Sequence, residues 1–322
     1  MSKSGSIAVL IVAYRRKDSL REILDLCKLN KIKDIYIAID GPKINSLVGK
    51  NDNFEMNLTV SQFKKKFSGS VSIMKRETNM GCAPSVLSAC DWVFEKEDSV
   101  IILEDDCIPT SDFFKFSRLT VEIIKSDERV WLSCGTQFMP EDNQMDSWFL
   151  SKYPLTWGWC TTKEKWQEIS TALKNSKILS KEKVSLEESV YWNAGSRRAQ
   201  RGWVDVWDTV LAQQLLAFSK LVILPKYNLV SNTGYDDYAT NTTESSKRIH
   251  TEIGSFVMPN SNPKLEPKVN FWLRTEFFRI RKRHLITTRG TRIKDLLLHF
   301  KKPFLPLKDR WLFAESERKS LM

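Results

Sequence analysis

The 322-residue sequence contains no long hydrophobic run. A membrane-spanning helix needs at least about eighteen consecutive apolar residues, and none of the segments is that long. Residues 1–5, followed by the strand-like segment 7–13, also lack the charged, apolar and small-residue regions of a secretory signal peptide. These absences predict a protein that stays in the cytoplasm.

The cysteines and glycines lack the spacings that define several familiar sites. The six cysteines (27, 82, 90, 107, 134 and 160) include no Cys-x-x-Cys pair, so neither a zinc site nor a disulfide framework is indicated. No Gly-x-Gly-x-x-Gly follows the first predicted strand, and no Walker A sequence occurs. These absences disfavour classical NAD dehydrogenases and P-loop ATPases.

An acidic triplet ends an apolar strand. Residues 100–103 are Val-Ile-Ile-Leu and run directly into Glu104, Asp105 and Asp106. Ligands in open α/β sheets bind just beyond the carboxyl ends of such strands. Adjacent carboxylates repel one another unless a cation neutralises them, and Mg²⁺ or Mn²⁺ is typically held by one or two carboxylates plus substrate phosphates. A solvated acidic turn before a helix, with Asp112 in its first turn, explains the local pattern equally well.

Strand-like and helix-like segments alternate through the first 135 residues. The patterns predict strands at 7–13, 34–39, 71–74, 100–103 and 130–134, and helices at 18–29, 54–67, 84–94 and 111–125. Such alternation predicts an α/β fold with a mainly parallel, Rossmann-like sheet flanked by helices. From residue 136 the sequence becomes irregular and aromatic-rich, and Pro and Asn residues at 259–263 predict a boundary. We therefore predict a domain at 1–260, in halves 1–135 and 136–260, and an extension at 261–322.

Positive charge is concentrated near the end of the chain. The net charge is +11, and residues 271–310 hold twelve Lys or Arg against three acids, interleaved with bulky apolar residues. A basic amphipathic stretch is typical of contact with an anionic membrane surface or a lipid-linked acceptor there. The alternatives are a helical cap with a solvated basic face and, least favoured, binding of nucleic acid.

Eight of the eleven tryptophans fall between residues 148 and 272. In one stretch Gly158 separates Trp157 from Trp159 and permits a close approach of the backbone. Indole rings are usually core residues, but they also stack on sugar rings. Trp157, Gly158 and Trp159 are therefore equally candidates for the wall of a donor or acceptor pocket and for the core.

A series of short motifs occurs in order between residues 7 and 245. They are Ile11-Val12-Ala13-Tyr14-Arg15-Arg16, Ala38-Ile39-Asp40-Gly41, Arg76-Glu77-Thr78-Asn79-Met80-Gly81, Glu104-Asp105-Asp106, Thr156-Trp157-Gly158-Trp159, Val206-Trp207-Asp208, and Asn228 to Gly234 with Ala239-Thr240-Asn241-Thr242. Together they resemble the motifs of GT-A fold nucleotide-sugar glycosyltransferases, notably N-acetylglucosaminyltransferase I-like enzymes and bacterial surface-polysaccharide transferases. Asn241 replaces the family's usual histidine, so no role is assigned to it.

The resemblance implies a GT-A fold, with nucleotide binding in residues 1–135 and acceptor binding and catalysis in residues 136–260. It implies transfer of a hexose, with inversion, from a nucleotide diphosphate donor, preferably a UDP-sugar, to a glycan or lipid-linked glycan. Mn²⁺ or Mg²⁺ would be bound by Asp106, with Asp105 supporting the metal or the donor sugar and Glu104 near the ribose.

The resemblance assigns further roles in donor binding. Asp40 would accept hydrogen bonds from the base, and Arg16 and Arg76 would contact base or phosphate. The structural alternatives are a turn residue for Asp40 and surface charge for the two arginines.

An inverting transfer also needs a carboxylate that takes the acceptor's proton. The resemblance puts the family's base at or beside Asp208. Asp205 is the second candidate, because a spacing of three brings both side chains to nearly the same face of a helix. Either aspartate is alternatively a helix N-cap.

Two rival classes remain open. A sugar nucleotidyltransferase also uses an α/β sheet, a metal and acidic residues, but it normally has a glycine-rich loop after the first strand, where this chain has Tyr14-Arg15-Arg16-Lys17. A non-enzymatic protein that binds nucleic acid or membranes would account for the basic segment and would leave the acidic triplet unexplained.

Overall fold

The computed structural model of the protein describes residues 7–43, 46–140, 145–234 and 252–280. The strands in these ranges are β1 (Ala8–Ala13), β2 (Asp34–Ile39), β3 (Ser70–Lys75), β4 (Ser99–Glu104), β5 (Cys107–Pro109), β6 (Val130–Cys134), β7 (Trp148–Ser151), β8 (Trp159–Thr162), β9 (Leu221–Pro225) and β10 (Val230–Asn232). The helices are α1 (Lys17–Leu29), α2 (Leu47–Lys66), α3 (Cys82–Phe94), α4 (Ser111–Ser126), α5 (Lys163–Asn175), α6 (Leu186–Gln200), α7 (Asp208–Ala217) and α8 (Pro267–Trp272), which continues into a π-helical turn, Leu273–Phe277.

Eight strands form one sheet in the order β3-β2-β1-β4-β8-β6-β9-β7. Neighbours β3, β2, β1 and β4 are parallel, and so are β6 and β9. Strand β8 is antiparallel to both β4 and β6, and β7 is antiparallel to β9. Six strands therefore share one direction, which confirms the predicted mainly parallel α/β sheet flanked by helices.

The sheet carries a hydrophobic core on each face. Helices α1, α2 and α4 pack on one face, and α3, α5 and α7 on the other. Alternate residues of β1 supply the two sides, Val9 and Ile11 to the first and Leu10 and Val12 to the second. This alternation buries β1 on both faces, as expected for a parallel strand.

The structure differs from the predictions at helix α2 and in the second half of the predicted domain. Helix α2 begins seven residues before the predicted start at 54, because the Ser46 side chain accepts a hydrogen bond from the Gly49 amide at 2.9 Å and caps it. The sequence between 136 and 234 is not irregular: its described residues form three helices and four strands, and three of these strands join the sheet of the first half.

Residues beyond the predicted boundary at 260 pack against the sheet. The Leu150 amide donates to the Lys264 carbonyl at 2.8 Å, and the Glu266 amide donates to the Leu150 carbonyl at 3.1 Å. Val269 and Leu273 are fully buried in the core. Residues 264–273 therefore pack on the main domain, as the helical-cap alternative for the end of the chain predicts.

The remainder of the basic segment, 281–310, and the motif at 239–242 lie outside the described residues. Within the described ranges, no helix combines the length and the apolar character that crossing a membrane requires.

Candidate active site

The loops that follow β1, β2 and β4 meet at one edge of the sheet. Strand β1 pairs in parallel with β2 and with β4, and Val12 lies opposite Glu104 in this register. The carboxyl ends of these strands are therefore neighbours, which is where open α/β sheets bind ligands. The acidic triplet lies at this edge.

Asp105 holds the loop after β1. Its Oδ2 accepts hydrogen bonds from the backbone amides of Tyr14, Arg15 and Arg16 at 2.7, 3.0 and 3.1 Å. The Asp105 amide in turn donates to the Val12 carbonyl at 3.0 Å, and the residue is buried. The structure thus gives Asp105 a loop-holding role, and its predicted role toward metal or donor sugar stays a prediction.

Asp106 is half-buried beside Arg16. Asp106 Oδ2 lies 4.0 Å from the Arg16 Nη1, and Asp106 Oδ1 accepts from the Cys107 Sγ at 3.3 Å. Burial and the charge of Asp105 raise the pKa of Asp106, and Arg16 partly opposes them. The structure therefore brings Asp106 and Arg16 together, and their predicted roles toward metal and toward base or phosphate stay predictions.

Glu104 lies among several other negatively charged side chains. Burial, followed by the charges of Asp106, Asp105 and Asp208, raises the pKa of Glu104 to about 8. Among the described residues, no three His, Cys, Asp or Glu side chains are grouped to hold a metal ion by themselves. The donor set nevertheless fits Mg²⁺ or Mn²⁺ held by Asp106, because such ions take one or two carboxylates and complete their shell with phosphate oxygens.

Asp208 is the first residue of helix α7, and its charge acts on Glu104. The residue as a whole is exposed, and its Oδ1 accepts from the Thr209 amide at 2.7 Å. Surrounding protein still desolvates the carboxyl group and raises its pKa. Because the charge of Asp208 also raises the pKa of Glu104, the two carboxylates lie within electrostatic range of each other. A raised pKa suits a general base.

Tyr191 on α6 is a neighbour of Asp208 that the sequence analysis missed. Burial and then the charge of Asp208 raise the pKa of the Tyr191 hydroxyl. Four residues further along α6, a Cβ added at Gly195 would lie 2.7 Å from the Thr209 Cγ2, so α6 and α7 are in close contact there. Tyr191 lies outside every motif, and no local pattern singles it out.

Asp205 caps helix α3. Its Oδ2 accepts from the Cys82 amide at 2.6 Å, and its Oδ1 accepts from the Ala83 amide at 2.9 Å. Gly81 precedes them with φ 88°, and a Cβ at Gly81 would lie 2.6 Å from the Asp205 Oδ2. The capping alternative thus describes Asp205, although it caps α3 rather than the helix that follows it. Because both oxygens bind α3, Asp208 is the better candidate base.

Asp40 ties the loop after β3 to the end of β2. Its Oδ1 accepts from the amides of Gly41 and Met80 at 3.0 and 3.1 Å, and its Oδ2 accepts from the Asn79 Nδ2 at 2.9 Å. Asp40 is 3% exposed, and burial raises its pKa despite these bonds. The predicted contact of Asp40 with a base stays a prediction.

The two predicted arginines have different surroundings. Arg76 points into helix α3, where its Nη1 donates to the Ser85 Oγ at 2.9 Å and its Nη2 donates to the Ser88 Oγ at 2.7 Å. Burial lowers the pKa of Arg76. The structure therefore brings Arg16 to the acidic triplet and directs Arg76 toward α3.

The Trp-Gly-Trp stretch divides between core and surface. Trp159 is 1% exposed and belongs to the core, so the core alternative applies to it. Gly158 has φ 64°, and a Cβ there would lie 2.8 Å from the Val230 Cγ2, which excludes a side chain. Trp157 is half-buried and makes an edge contact with Phe138 at a centroid distance of 4.8 Å. Of the three residues, Trp157 retains an exposed surface on which a ligand can pack.

Comparison with known proteins yields structural similarity only. No family model matches the chain, and the comparison with curated proteins gives no match. Among solved structures, the chain is similar to a 4-diphosphocytidyl-2C-methyl-D-erythritol synthase from Anaerococcus prevotii, with 12% identity over 73% of this chain and 93% of that chain and a TM-score of 0.40.

Two further solved structures are similar to the chain. One is glucosyl-3-phosphoglycerate synthase from Mycobacterium tuberculosis in complex with Mn²⁺, UDP and glucosyl-3-phosphoglycerate, at 10% identity over 62% of this chain and 66% of that chain, with a TM-score of 0.35. The other is a UDP-glucose pyrophosphorylase in complex with UDP-glucose, at 7% identity over 70% and 92%, with a TM-score of 0.38. Sequence identities and TM-scores of this size indicate a similar general arrangement of helices and strands. They give no evidence about the substrate or the mechanism of this protein.

Proposed function

We propose that the protein is a metal-dependent, inverting glycosyltransferase of GT-A type that moves a sugar from a nucleotide diphosphate donor, preferably a UDP-sugar, to a glycan or lipid-linked glycan. The observation that carries the proposal is the convergence of Glu104, Asp106, Arg16 and Asp208 at the carboxyl edge of the sheet. One arginine, several carboxylates and a base with a raised pKa are the groups that such a transfer requires.

The need for a cation follows from how the backbone amides at this edge are used. The Asp105 carboxylate accepts hydrogen bonds from the amides of residues 14–16, just before α1. The Asp205 carboxylate accepts them from the first amides of α3. Helix N-termini at such edges commonly bind phosphates, but the chain's own carboxylates occupy both. Arg16 and a divalent ion at Asp106 would then balance the charge of a donor diphosphate.

Each step of the transfer has a residue suited to it. Bound Mn²⁺ or Mg²⁺ supplies charge stabilisation for the departing diphosphate. Asp208 takes the proton from the acceptor hydroxyl as that oxygen bonds to the anomeric carbon. The bond from this carbon to the diphosphate breaks, and the electron pair leaves with the diphosphate beside Arg16 and Asp106.

The same loop argues against a sugar nucleotidyltransferase. A triphosphate would need free amides and cations after β1. Here the amides bind Asp105, Arg15 pairs with Asp52 at 2.7 Å, and Lys17 pairs with Glu55 at 3.2 Å. The released product separates the two reactions, since glycosyl transfer yields a nucleoside diphosphate and nucleotidyl transfer from a triphosphate yields pyrophosphate.

A calorimetric titration of UDP, GDP and CDP, each with and without Mn²⁺, tests the proposal. We expect metal-dependent binding of one nucleotide, weakened roughly tenfold, or about 1.4 kcal/mol, by Asp106→Asn. Asp208→Asn should abolish transfer and leave nucleotide affinity unchanged. Absence of binding by all three nucleotides would refute the donor class, and normal turnover of Asp208→Asn would remove Asp208 from the mechanism.

A membrane surface as partner has no support among the described residues. In the part of the basic segment that the structure describes, 271–280, Leu273 and Ile280 are buried in the core. A purely nucleic-acid-binding or membrane-binding protein predicts salt-sensitive binding with no requirement for Mn²⁺. The metal dependence of the nucleotide titration therefore separates these alternatives from the enzyme.

A further inference from the structure

The hydrogen bonds that Asp40 makes with its neighbours already fill its acceptor sites. Its Oδ1 accepts from the amides of Gly41 and Met80 at 3.0 and 3.1 Å. Its Oδ2 accepts from the Asn79 Nδ2 at 2.9 Å and from the Met80 amide at 3.2 Å. A carboxylate offers about four lone-pair sites, and Asp40 is 3% exposed. A ligand would therefore reach the Asp40 carboxylate only by displacing a group that holds the loop after β3.

The side chain of Asn79 presents an oriented hydrogen-bond acceptor beside Asp40. Its Nδ2 donates to the Asp40 Oδ2 at 2.9 Å and to the Gly41 carbonyl at 3.3 Å. Because a carboxylate and a carbonyl accept hydrogen bonds, the nitrogen of the planar carboxamide must face them. Within the described ranges nothing donates to the Asn79 Oδ1, and the residue is half-buried. Asn79 therefore offers its Oδ1 to a ligand.

The backbone around Asn79 is held in place. The Asn79 amide donates to the Pro42 carbonyl at 3.2 Å. A Cβ added at Gly41 would lie 2.4 Å from the backbone of Thr78, so the loops after β2 and β3 pack closely against each other. A ligand that binds the Asn79 Oδ1 therefore meets a group that is already oriented, and little conformational entropy is lost on binding.

A short chain of hydrogen bonds connects Asn79 to the acidic triplet. Asn79 binds Asp40, and the Asp40 amide donates to the Ala13 carbonyl at 2.8 Å. The next amide along β1, that of Tyr14, donates to the Asp105 Oδ2 at 2.7 Å. Asn79 and Asp105 thus lie along the same edge of the sheet, at the ends of β2 and β4, with β1 between them.

This separation suits the two ends of a nucleoside diphosphate. The step from β4 across β1 to β2 is about 10 Å, because adjacent strands lie about 4.8 Å apart. Under the proposed function, the diphosphate lies beside Arg16 and Asp106 at the β4 end. A nucleotide placed along the edge from there carries its ribose past Tyr14 and its base to the loops after β2 and β3, where Asn79 lies.

We propose that the donor base is uracil and that the Asn79 Oδ1 accepts a hydrogen bond from its N3–H, with Asp40 as the positioning residue that orients the carboxamide. The inference rests on the proposed function and specifies how its donor is recognised. It replaces the direct contact between Asp40 and the base that the resemblance implies. Cytosine carries a lone pair at N3 and no proton, so it would leave the Asn79 Oδ1 unpaired, which is the basis of strong discrimination.

The test is a calorimetric titration of the full-length protein with Mn²⁺ and three nucleotides. These are UDP, CDP and N3-methyl-UDP, in which a methyl group replaces the N3 proton. We expect the wild-type protein to bind UDP at least roughly tenfold more tightly than either of the others. Asn79→Ala should weaken UDP binding and bring the three affinities to within roughly twofold of one another. Wild-type affinities that are equal for UDP and N3-methyl-UDP would overturn the inference without any variant.

Asn53→Ala is the matched control, because Asn53 also binds Asp40. Its Nδ2 donates to the Asp40 carbonyl at 2.9 Å, but its Oδ1 already accepts from the Asn57 Nδ2 at 3.0 Å. Loosening of the loops weakens all three nucleotides equally, so this variant should keep the preference for UDP. A preference that survives in Asn79→Ala, or that both variants lose to the same extent, would overturn the inference.

Asp40→Asn tests the positioning role. A carboxamide at position 40 can turn its own N–H groups toward Asn79, so the Asn79 Nδ2 is no longer forced to face it. The preference for UDP over N3-methyl-UDP should fall, while binding stays dependent on Mn²⁺ because Asp106 is unchanged. A full preference for UDP in Asp40→Asn would contradict the positioning role.

The titrations separate this inference from the proposed function. Absence of Mn²⁺-dependent binding by UDP, GDP and CDP alike would count against the proposed function. Mn²⁺-dependent binding of GDP or CDP in place of UDP would leave the proposed donor class intact and overturn the inference alone.

Discussion

At the scale of single residues, the backbone of Gly234 lies directly against the Asp106 carboxylate. A Cβ at Gly234 would lie 2.3 Å from the Asp106 Oδ2, well inside any real contact. We expect Gly234→Ala to displace the carboxylate and to weaken Mn²⁺-dependent nucleotide binding by roughly tenfold in calorimetry.

Gly202→Ala is the control for that change. Gly202 has φ 65°, and nothing lies within 4 Å of a Cβ there. Its substitution should cost about 1–2 kcal/mol through backbone strain and leave nucleotide affinity unchanged. Equal loss of affinity in the two variants would mean that general destabilisation, and not the Asp106 contact, is responsible.

Glu168 makes a pH-dependent contribution to stability. Its Oε2 accepts from the Trp131 Nε1 at 2.9 Å and lies 3.2 Å from the Lys220 Nζ. These contacts outweigh desolvation and hold the pKa of Glu168 below its usual value. The stabilisation is present above the pKa of the unfolded chain and is lost as pH falls through the lower pKa of the folded protein.

Glu168→Gln should therefore lower the melting temperature at pH 7 and change it less as pH falls below about 4.5. Thermal unfolding of both proteins across this range provides the measurement. A difference in melting temperature that is independent of pH would show that packing, and not the charge of Glu168, stabilises the fold.

At the scale of secondary structure, the cap of α3 comes from a distant part of the chain. Asp205 lies more than a hundred residues after the amides of Cys82 and Ala83 that it binds. We expect Asp205→Ala to reduce the free energy of unfolding by about 1 kcal/mol, as for other lost N-caps. It should also speed hydrogen exchange at these two amides.

Asp18→Ala is a matched change in the first turn of α1. Asp18 is 78% exposed and pairs with Arg21, so its loss should change stability by less than about 0.5 kcal/mol. Unchanged exchange at residues 82 and 83 in Asp205→Ala would contradict the capping role.

Local patterns predicted the elements of the first half well, and those of the second half poorly. Strands β2 and β6 have the predicted bounds, because continuous apolar runs between turn residues mark buried strands. Strand β8 has only four residues, two of them threonines. Its place between β4 and β6 depends on partners far away in sequence, which no local pattern encodes.

At the scale of the whole molecule, Val269, Leu273 and Ile280 anchor residues 264–280 to the main core. Leu273 is fully buried, whereas Phe271, two residues earlier, is 66% exposed. Leu273→Ala should lower the free energy of unfolding by about 2–5 kcal/mol through lost burial and a cavity. Phe271→Ala should change it by less than about 0.5 kcal/mol. Urea denaturation of both variants measures the difference, and equal effects would indicate a separate extension.

The α/β class, most strands of the first half and the position of the acidic triplet follow from the sequence alone, because hydrophobic period and residue order are local properties. The contacts of each carboxylate, by contrast, depend on the tertiary structure. Asp105, Asp106, Asp205 and Asp208 carry the same side chain, yet Asp105 and Asp205 hold loop and helix amides that are distant in sequence, whereas the charges of Asp106 and Asp208 both act on Glu104. The difference arises from which amides and charges surround each side chain, and folding alone brings those groups together.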